Sequence, residues 1–105
     1  MSVIEEKRNV CANLVRTSNR IMNEVRCSTS ESPSHRYIKE QICQELERQG
    51  KKYITEAIFI KGGRADILVL DDFLAIEIAC SESEESLTRK AELYPNGIRI
   101  KVIRC

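Results

Sequence analysis

Two carboxylates in apolar surroundings are the residues of this sequence best suited to chemistry. Asp66 precedes the apolar run 67–70, and Glu77 lies inside a second apolar run, 73–79. A charged carboxylate buried without a partner costs on the order of several kcal/mol, and two such groups on adjacent strands also repel each other. A bridging Mg²⁺ or Mn²⁺ removes that cost, lowers the pKa of a bound water and neutralises charge on a phosphate. The pair therefore predicts metal-dependent phosphodiester hydrolysis.

The element that must position these carboxylates is a β-hairpin. Two runs rich in apolar and β-branched residues flank the turn-forming pair Asp71-Asp72, which predicts two antiparallel strands. Side chains alternate along a strand, so Ala75, Glu77 and Ala79 share one face. Asp66 reaches the same side if the hairpin closes tightly, and Gly62-Gly63 would let a bulky anionic strand approach the backbone.

A purely structural role for the two carboxylates is the alternative. In it, Asp66 caps a turn or pairs with Arg64 or Lys61, while Glu77 pairs with Lys90 or Arg99. Residue spacing alone does not separate this alternative from a shared cation.

The remaining segments complete a small α/β domain. The pattern predicts an amphipathic helix from Val3 to about Val25, a second helix from about Pro33 or Ser34 to Gln49, and a strand over Tyr53–Ile60. After the hairpin, a Ser81-x-x-Glu84 capping box predicts a helix that ends before Pro95, and the alternating run 98–102 predicts a last strand. We therefore expect an amino-terminal helix for packing or dimerisation (1–27), a linker (28–33) and a mixed-sheet domain (34–105).

Composition limits the classes of function. The chain has 105 residues and a net charge of +1, so one domain is expected, and any nucleic acid must be held by a local basic face. No apolar run is long enough for a membrane span, and the first residues do not resemble a signal peptide. The spacing of a phosphate-binding loop is absent, so no nucleotide cofactor is expected. Five dispersed cysteines predict reduced thiols in a cytoplasmic protein, with a disulfide as the alternative if the source is a thermophile.

The order of elements and two short motifs resemble a known family. Gly63-Arg64-Ala65-Asp66 and Ala75-Ile76-Glu77-Ile78-Ala79, on a helix–three strands–helix–strand order, are similar to the core of the PD-(D/E)XK nuclease superfamily, which includes archaeal Holliday junction resolvases and many restriction endonucleases. The resemblance covers about residues 34–104. It implies a restriction endonuclease-like αβββαβ fold and a DNA endonuclease, in one form selective for DNA structure.

The resemblance also implies roles for particular residues. Asp66 and Glu77 would be ligands of Mg²⁺ or Mn²⁺, and Glu40 would match a first-helix glutamate that assists the metal or water, with Glu45 and Glu47 as competing choices. Lys90 and Tyr94 are similar to the Q-x-x-x-Y element of exonuclease branches, although a solvent-facing lysine–tyrosine pair is the simpler interpretation. The residues expected to contact DNA are Lys61, Arg64, Arg89 and Lys90.

One departure from the family pattern decides how far the function carries over. Ala79 stands where the family has the lysine that holds the attacking water or stabilises the phosphate. Either the lysine function has moved to Lys61, Arg64 or Lys90, or catalysis is lost and a nucleic-acid-binding or assembly module remains. A homodimer is expected in each case, since so small a chain presents little area to DNA.

Overall fold

A four-stranded mixed sheet with helices on its faces organises the chain. The computed structural model describes residues 2–105. The helices are α1 (Val3–Ala12), α2 (Pro33–Arg48) and α3 (Glu84–Glu92), and the strands are β1 (Tyr53–Ile58), β2 (Arg64–Val69), β3 (Leu74–Ala79) and β4 (Arg99–Arg104). The strand order is β1-β2-β3-β4. The first three strands are antiparallel, and β4 runs parallel to β3 after the α3 crossover. The predicted small mixed sheet flanked by helices is confirmed.

The helices begin at serine caps. Ser2, Ser32 and Ser83 each accept a hydrogen bond from a backbone N–H in the first helical turn, and Pro33 at the first position of α2 gives up no helical hydrogen bond. The capping box expected at Ser81 is two residues early, because Ser83 is the cap of α3. At the end of α2, Gly50 adopts a φ of 73°, and Lys51 N–H donates to the Leu46 carbonyl at 2.9 Å.

The sheet separates two apolar cores. On one face Ile54, Leu68 and Ala75 pack with the end of α1 and with Tyr94. On the other face Ile67 and Ile78 pack against α2. Burial of apolar surface on both faces stabilises the sheet and fixes which side chains reach each face.

The helix predicted from Val3 to about Val25 is wrong beyond Ala12. Val15 forms a β-bridge with Phe59, and Arg16 N–H donates to the Ile58 carbonyl at 2.8 Å. The backbone after α1 thus satisfies groups that the outer edge of β1 would otherwise leave unpaired. Val15 is buried in the core, whereas Ile21, Met22 and Val25 are exposed, so the apolar residues of this stretch do not form one helix stripe.

The interpretation of residues 28–33 as a plain linker is also incomplete. Glu31 lies in this segment, and its side chain is almost fully buried against Lys39, with an Nζ–Oε1 distance of 2.5 Å. The segment is therefore tied to α2 by a buried ion pair.

One disulfide departs from the expectation of reduced thiols. Cys80, directly after β3, is bonded to Cys105, directly after β4, while Cys11, Cys27 and Cys43 are free. The two strands are parallel neighbours, so their ends bring these cysteines together. Among the residues described, no helix has the length and apolar content needed to cross a membrane.

Candidate functional site

The site forms where β2 separates from β3. The β2–β3 ladder extends only from Val69↔Leu74 to Ile67↔Ile76. Asp66 is the first residue beyond that ladder, and its Oδ2 accepts a hydrogen bond from Ile78 N–H at 2.8 Å. A side-chain oxygen thus takes the place of a backbone partner, which holds the Asp66 carboxylate between the two strands.

The neighbouring strand also changes conformation at this level. Paired residues of β1 and β2 lie on both sides of Glu56 and Asp66, but Glu56 and Asp66 themselves are not paired. Glu56 has a φ of 49°. Left-handed backbone is rare for a glutamate and marks local strain, which often occurs at functional sites. The kink leaves Glu56 on the wall of a cavity that also borders Asp66.

Glu77 faces Asp66 from β3 and is 4% exposed. Burial raises the pKa of Glu77 to about 7, the hydrogen bond from Tyr94 opposes that rise, and the charge of Asp66 adds to it. The Tyr94 hydroxyl lies within hydrogen-bond reach of both Glu77 Oε1 and the Arg64 carbonyl, 3.0 Å away in the second case. A hydroxyl has one proton to donate, so both contacts are satisfied when Glu77 itself carries a proton.

Lys90 supplies a positive charge from α3. Its Nζ lies 2.7 Å from Glu82 Oε2 and 3.9 Å from Glu77 Oε2. Tyr94 is 6% exposed and packs against Phe59 with the rings tilted by 59° and their centroids 5.2 Å apart. The interpretation of Lys90 and Tyr94 as a solvent-facing pair is therefore wrong: Tyr94 is a core residue, and both residues reach Glu77.

His35 joins the site from the first turn of α2, a position that the sequence analysis did not identify. Its Nε2 lies 3.4 Å from Asp66 Oδ2, and its Nδ1 lies 2.5 Å from Glu31 Oε1. Glu31 is held in turn by Lys39, whose side chain is fully buried and also lies 3.4 Å from Glu56. The serine-proline start of α2 could have placed His35 in the first turn, but nothing in the sequence pattern places Glu31 beside it.

Opposing effects set the ionisation of this buried network. Burial lowers the pKa of Lys39, but hydrogen bonds and charges from Glu31 and Glu56 outweigh it, so the net shift is upward. Burial likewise raises the pKa of Glu31, and Lys39 reverses that effect to leave it lowered. Glu31 and Lys39 are therefore both charged at neutral pH, and their ion pair fixes the wall beside His35.

Not every expected site residue reaches this place. Glu40 is exposed on α2 and lines neither cavity at the site, because His35 and Lys39, one turn apart, occupy the face of α2 that points there. Glu45 is paired with Arg48 near the far end of the same helix, and Glu47 is exposed. Arg64 lines both cavities with a side chain 58% exposed.

Two of the expected DNA contacts lie outside the cavities. Lys61 is exposed next to the Gly62-Gly63 turn. Arg89 is exposed on α3 and pairs with Glu85 at 2.7 Å.

The donor set suits a hard divalent cation. Asp66 and Glu77 offer carboxylate oxygens; burial chiefly raises the pKa of Glu77, and the charge of Asp66 adds to that rise. His35 offers an imidazole nitrogen beside Asp66. Within residues 2–105, no three His, Cys, Asp or Glu side chains are already grouped as a metal site.

Comparisons with known proteins add no assignment: no family model, curated protein or solved structure matches the chain.

Proposed function

We propose that this chain is a metal-dependent DNA nuclease with a restriction endonuclease-like core, in which Asp66 and Glu77 hold Mg²⁺ or Mn²⁺. The observation that carries the proposal is the convergence of these two buried carboxylates with Lys90 and His35 at the point where β2 leaves β3. When bound there, the cation lowers the pKa of a water and neutralises charge on the phosphate. Side chains of the protein bind the phosphate and stabilise its charge.

Lys90 supplies the positive charge that Ala79 cannot supply. Ala79 is 3% exposed and carries no charge. Lys90 Nζ, 3.9 Å from Glu77, is near enough to stabilise negative charge that develops on a phosphate held at the carboxylates. Glu82 keeps Lys90 oriented, and Arg64, largely exposed at the entrance, binds a neighbouring phosphate.

The acidic wall of the larger cavity also supports a cation. Glu31, Glu56, Asp66 and Glu82 line it; the opposing positive charges are Arg64 and Lys90 on the wall and Lys39 behind it, which pairs with Glu31 and Glu56. Without a divalent ion, such a wall repels a phosphate backbone, so nucleic acid and cation are expected to bind together.

Cleavage assays test the proposal. Branched, single-stranded and duplex DNA are incubated with Mg²⁺ or Mn²⁺ and either wild-type protein or Asp66→Asn, whose amide oxygen still accepts the Ile78 N–H. Cleavage by the wild type and loss of about 10²-fold or more in the variant are expected. Asp72→Asn, at a half-exposed pair with Lys51, is the matched control. Equal rates in wild type and Asp66→Asn would refute the proposed function.

A nuclease-derived binding module without catalysis is the second candidate. It is favoured by Ala79, because β3 itself carries no cation two residues after Glu77. This candidate requires nucleic-acid binding that is insensitive to EDTA and no cleavage with any metal. Calorimetric titration with Mn²⁺ separates the two functions, since only the nuclease needs a cation at the carboxylates.

Two further expectations belong to the proposal: a homodimer and a cytoplasmic location. Val3 and Val10, one face of α1, are 83% and 57% exposed and offer an apolar contact for a second copy. Sedimentation velocity of the wild type and of Val3→Glu/Val10→Glu tests the dimer. A monomer in both samples contradicts it.

A further inference from the structure

Two cavities meet at the carboxylates and together form one groove. The larger has a volume of about 260 Å³ and the smaller about 110 Å³, and both are bordered by Arg64, Asp66 and Lys90. Because they share these residues, the two cavities adjoin, and Asp66 borders both of them. A polymer can therefore pass the carboxylates instead of ending at them.

The groove is too small and too deep for a base-paired duplex. Each cavity is below the roughly 300 Å³ at which pockets for whole small molecules begin, so only part of a larger molecule enters. Asp66 and Glu77 are 9% and 4% exposed, which places their oxygens beneath the surface. The phosphates of a duplex follow the outside of a stiff rod and cannot descend into such a groove, whereas an unpaired strand bends freely.

The two arms of the groove differ in chemistry. The smaller arm has Gly62 and Gly63 on one side and Leu93 on the other, and Leu93 is 53% exposed at its rim. A Cβ added to Gly63 would lie 3.1 Å from Leu93 and Tyr94, so the turn packs directly on this rim. The outward side of Leu93 offers apolar contact to the face of a base, because burying both surfaces removes them from water.

The larger arm combines acidic side chains with groups that can bind a sugar–phosphate backbone. Its wall carries the hydroxyl-bearing residues Ser28, Ser30 and Ser32 together with His35. Serine hydroxyl and arginine guanidinium groups are among those that contact phosphate and sugar oxygens, and a divalent ion at the carboxylates would offset the acidic charge.

We infer that the substrate is an unpaired nucleic-acid strand, which lies along this groove with a base against Leu93. The inference rests on the proposed function, because it assigns the substrate class of the same site. It excludes continuous duplex as the preferred ligand.

Binding measurements test this inference independently of cleavage. Fluorescence anisotropy follows a labelled single strand and a duplex of the same sequence, each with Mn²⁺, in a Lys90→Gln background, which keeps both metal-binding carboxylates and slows cleavage of the probe. The single strand is expected to bind about tenfold more tightly than the duplex. Leu93→Glu is expected to weaken single-strand binding about tenfold, and Leu93→Ala, which keeps the Cβ packed on Gly63, about threefold.

Ile21→Glu is the matched control for the added charge, because Ile21 is 43% exposed and lines neither cavity. Its affinity for the single strand is expected to be unchanged. Equal or tighter binding of the duplex, or equal effects of Leu93→Glu and Ile21→Glu, would overturn the inference.

Cleavage by the wild type is scored separately. If the single-strand preference and the Leu93 effect hold while no DNA is cut, the proposed hydrolysis fails and the inference stands. If wild-type protein cuts duplex in preference to single strands, hydrolysis stands and the inference is overturned.

Discussion

Lys90 Nζ lies 3.9 Å from Glu77 Oε2, although the two residues are on different elements. The contact exists because α3 crosses the sheet face that carries Glu77 and because Glu82, just before α3, fixes the ammonium group at 2.7 Å. The positive charge beside Asp66 and Glu77 thus comes from Lys90 on α3, because the β3 residue two positions after Glu77 is Ala79. The proposed chemistry therefore depends on how α3 is held.

Replacing Lys90 by glutamine tests this arrangement. If Lys90 stabilises charge on the phosphate, its neutralisation is expected to lower the cleavage rate by about 10²- to 10³-fold. Single-turnover cleavage with saturating Mn²⁺ measures the effect. Arg89→Gln, at the adjacent exposed position, is the control and is expected to stay near the wild-type rate. A similar loss in both variants would mean that α3 contributes general charge and no specific catalytic group.

The buried Glu77 predicts a pH dependence of stability. Its pKa rises from 4.5 to about 7 on folding, chiefly through burial. The folded state therefore binds this proton more tightly than the unfolded state, so the stabilisation is complete below pH 4.5 and is lost as pH rises through 7. Above that pH, an ionised Glu77 is expected to cost roughly 1 to 3 kcal/mol of the free energy of unfolding.

Urea denaturation of Glu77→Gln measures this cost. The variant is expected to be more stable than wild type at about pH 8 and nearly equal at about pH 5, since glutamine never ionises. Glu92→Gln, at an exposed position of α3, is the control. Parallel stability curves for wild type and Glu77→Gln would contradict the buried, proton-binding state of Glu77.

Local sequence patterns predicted the convergence of the acidic pair but not the groups behind it. Asp66 and Glu77 meet because strand alternation is strict over short distances, and alternation can be counted in a sequence. The end of α1 at Ala12 could not be predicted from residue spacing, because it depends on the edge of β1, some forty residues later. There the demand for backbone partners outweighed an apolar stripe that suited a longer helix.

The roles of side chains on and near α2 and α3 were likewise not predictable from local sequence patterns. A spacing of four suggested that Lys90 and Tyr94 share a helix face, but α3 ends at Glu92, and Tyr94 turns into the core against Phe59. His35 was visible only as a residue near a helix start. Its role depends on the buried pair of Glu31 and Lys39, which comes from tertiary packing.

The buried Lys39 is predicted to stabilise the fold far more than a surface lysine. Lys39→Met would leave Glu31 and Glu56 without their buried cation and is expected to lower the free energy of unfolding by about 3 to 5 kcal/mol. Lys51→Met, which breaks a half-exposed pair with Asp72, is expected to cost about 0 to 1 kcal/mol. Urea denaturation compares the two variants, and equal shifts would contradict the buried network.

The Cys80–Cys105 disulfide is predicted to hold α3 and β4 in place. It closes a loop with a sequence separation of 25 that contains both elements. Loop closure of this length is expected to stabilise the protein by about 3 to 4 kcal/mol through the unfolded state. Cys80→Ser should therefore unfold at a lower urea concentration than wild type, and reduced wild type should behave like the variant.

Cys27→Ser is the matched control, because Cys27 is an exposed free thiol. It is expected to unfold like wild type, with and without reductant. Hydrogen exchange adds a local measurement: in Cys80→Ser the amides of α3 and β4 should exchange faster, since the crosslink joins the ends of β3 and β4. Unchanged exchange in α3 would show that Leu87 and Tyr94 hold this region without the disulfide, and Lys90 would then stay beside Glu77 under reducing conditions as well.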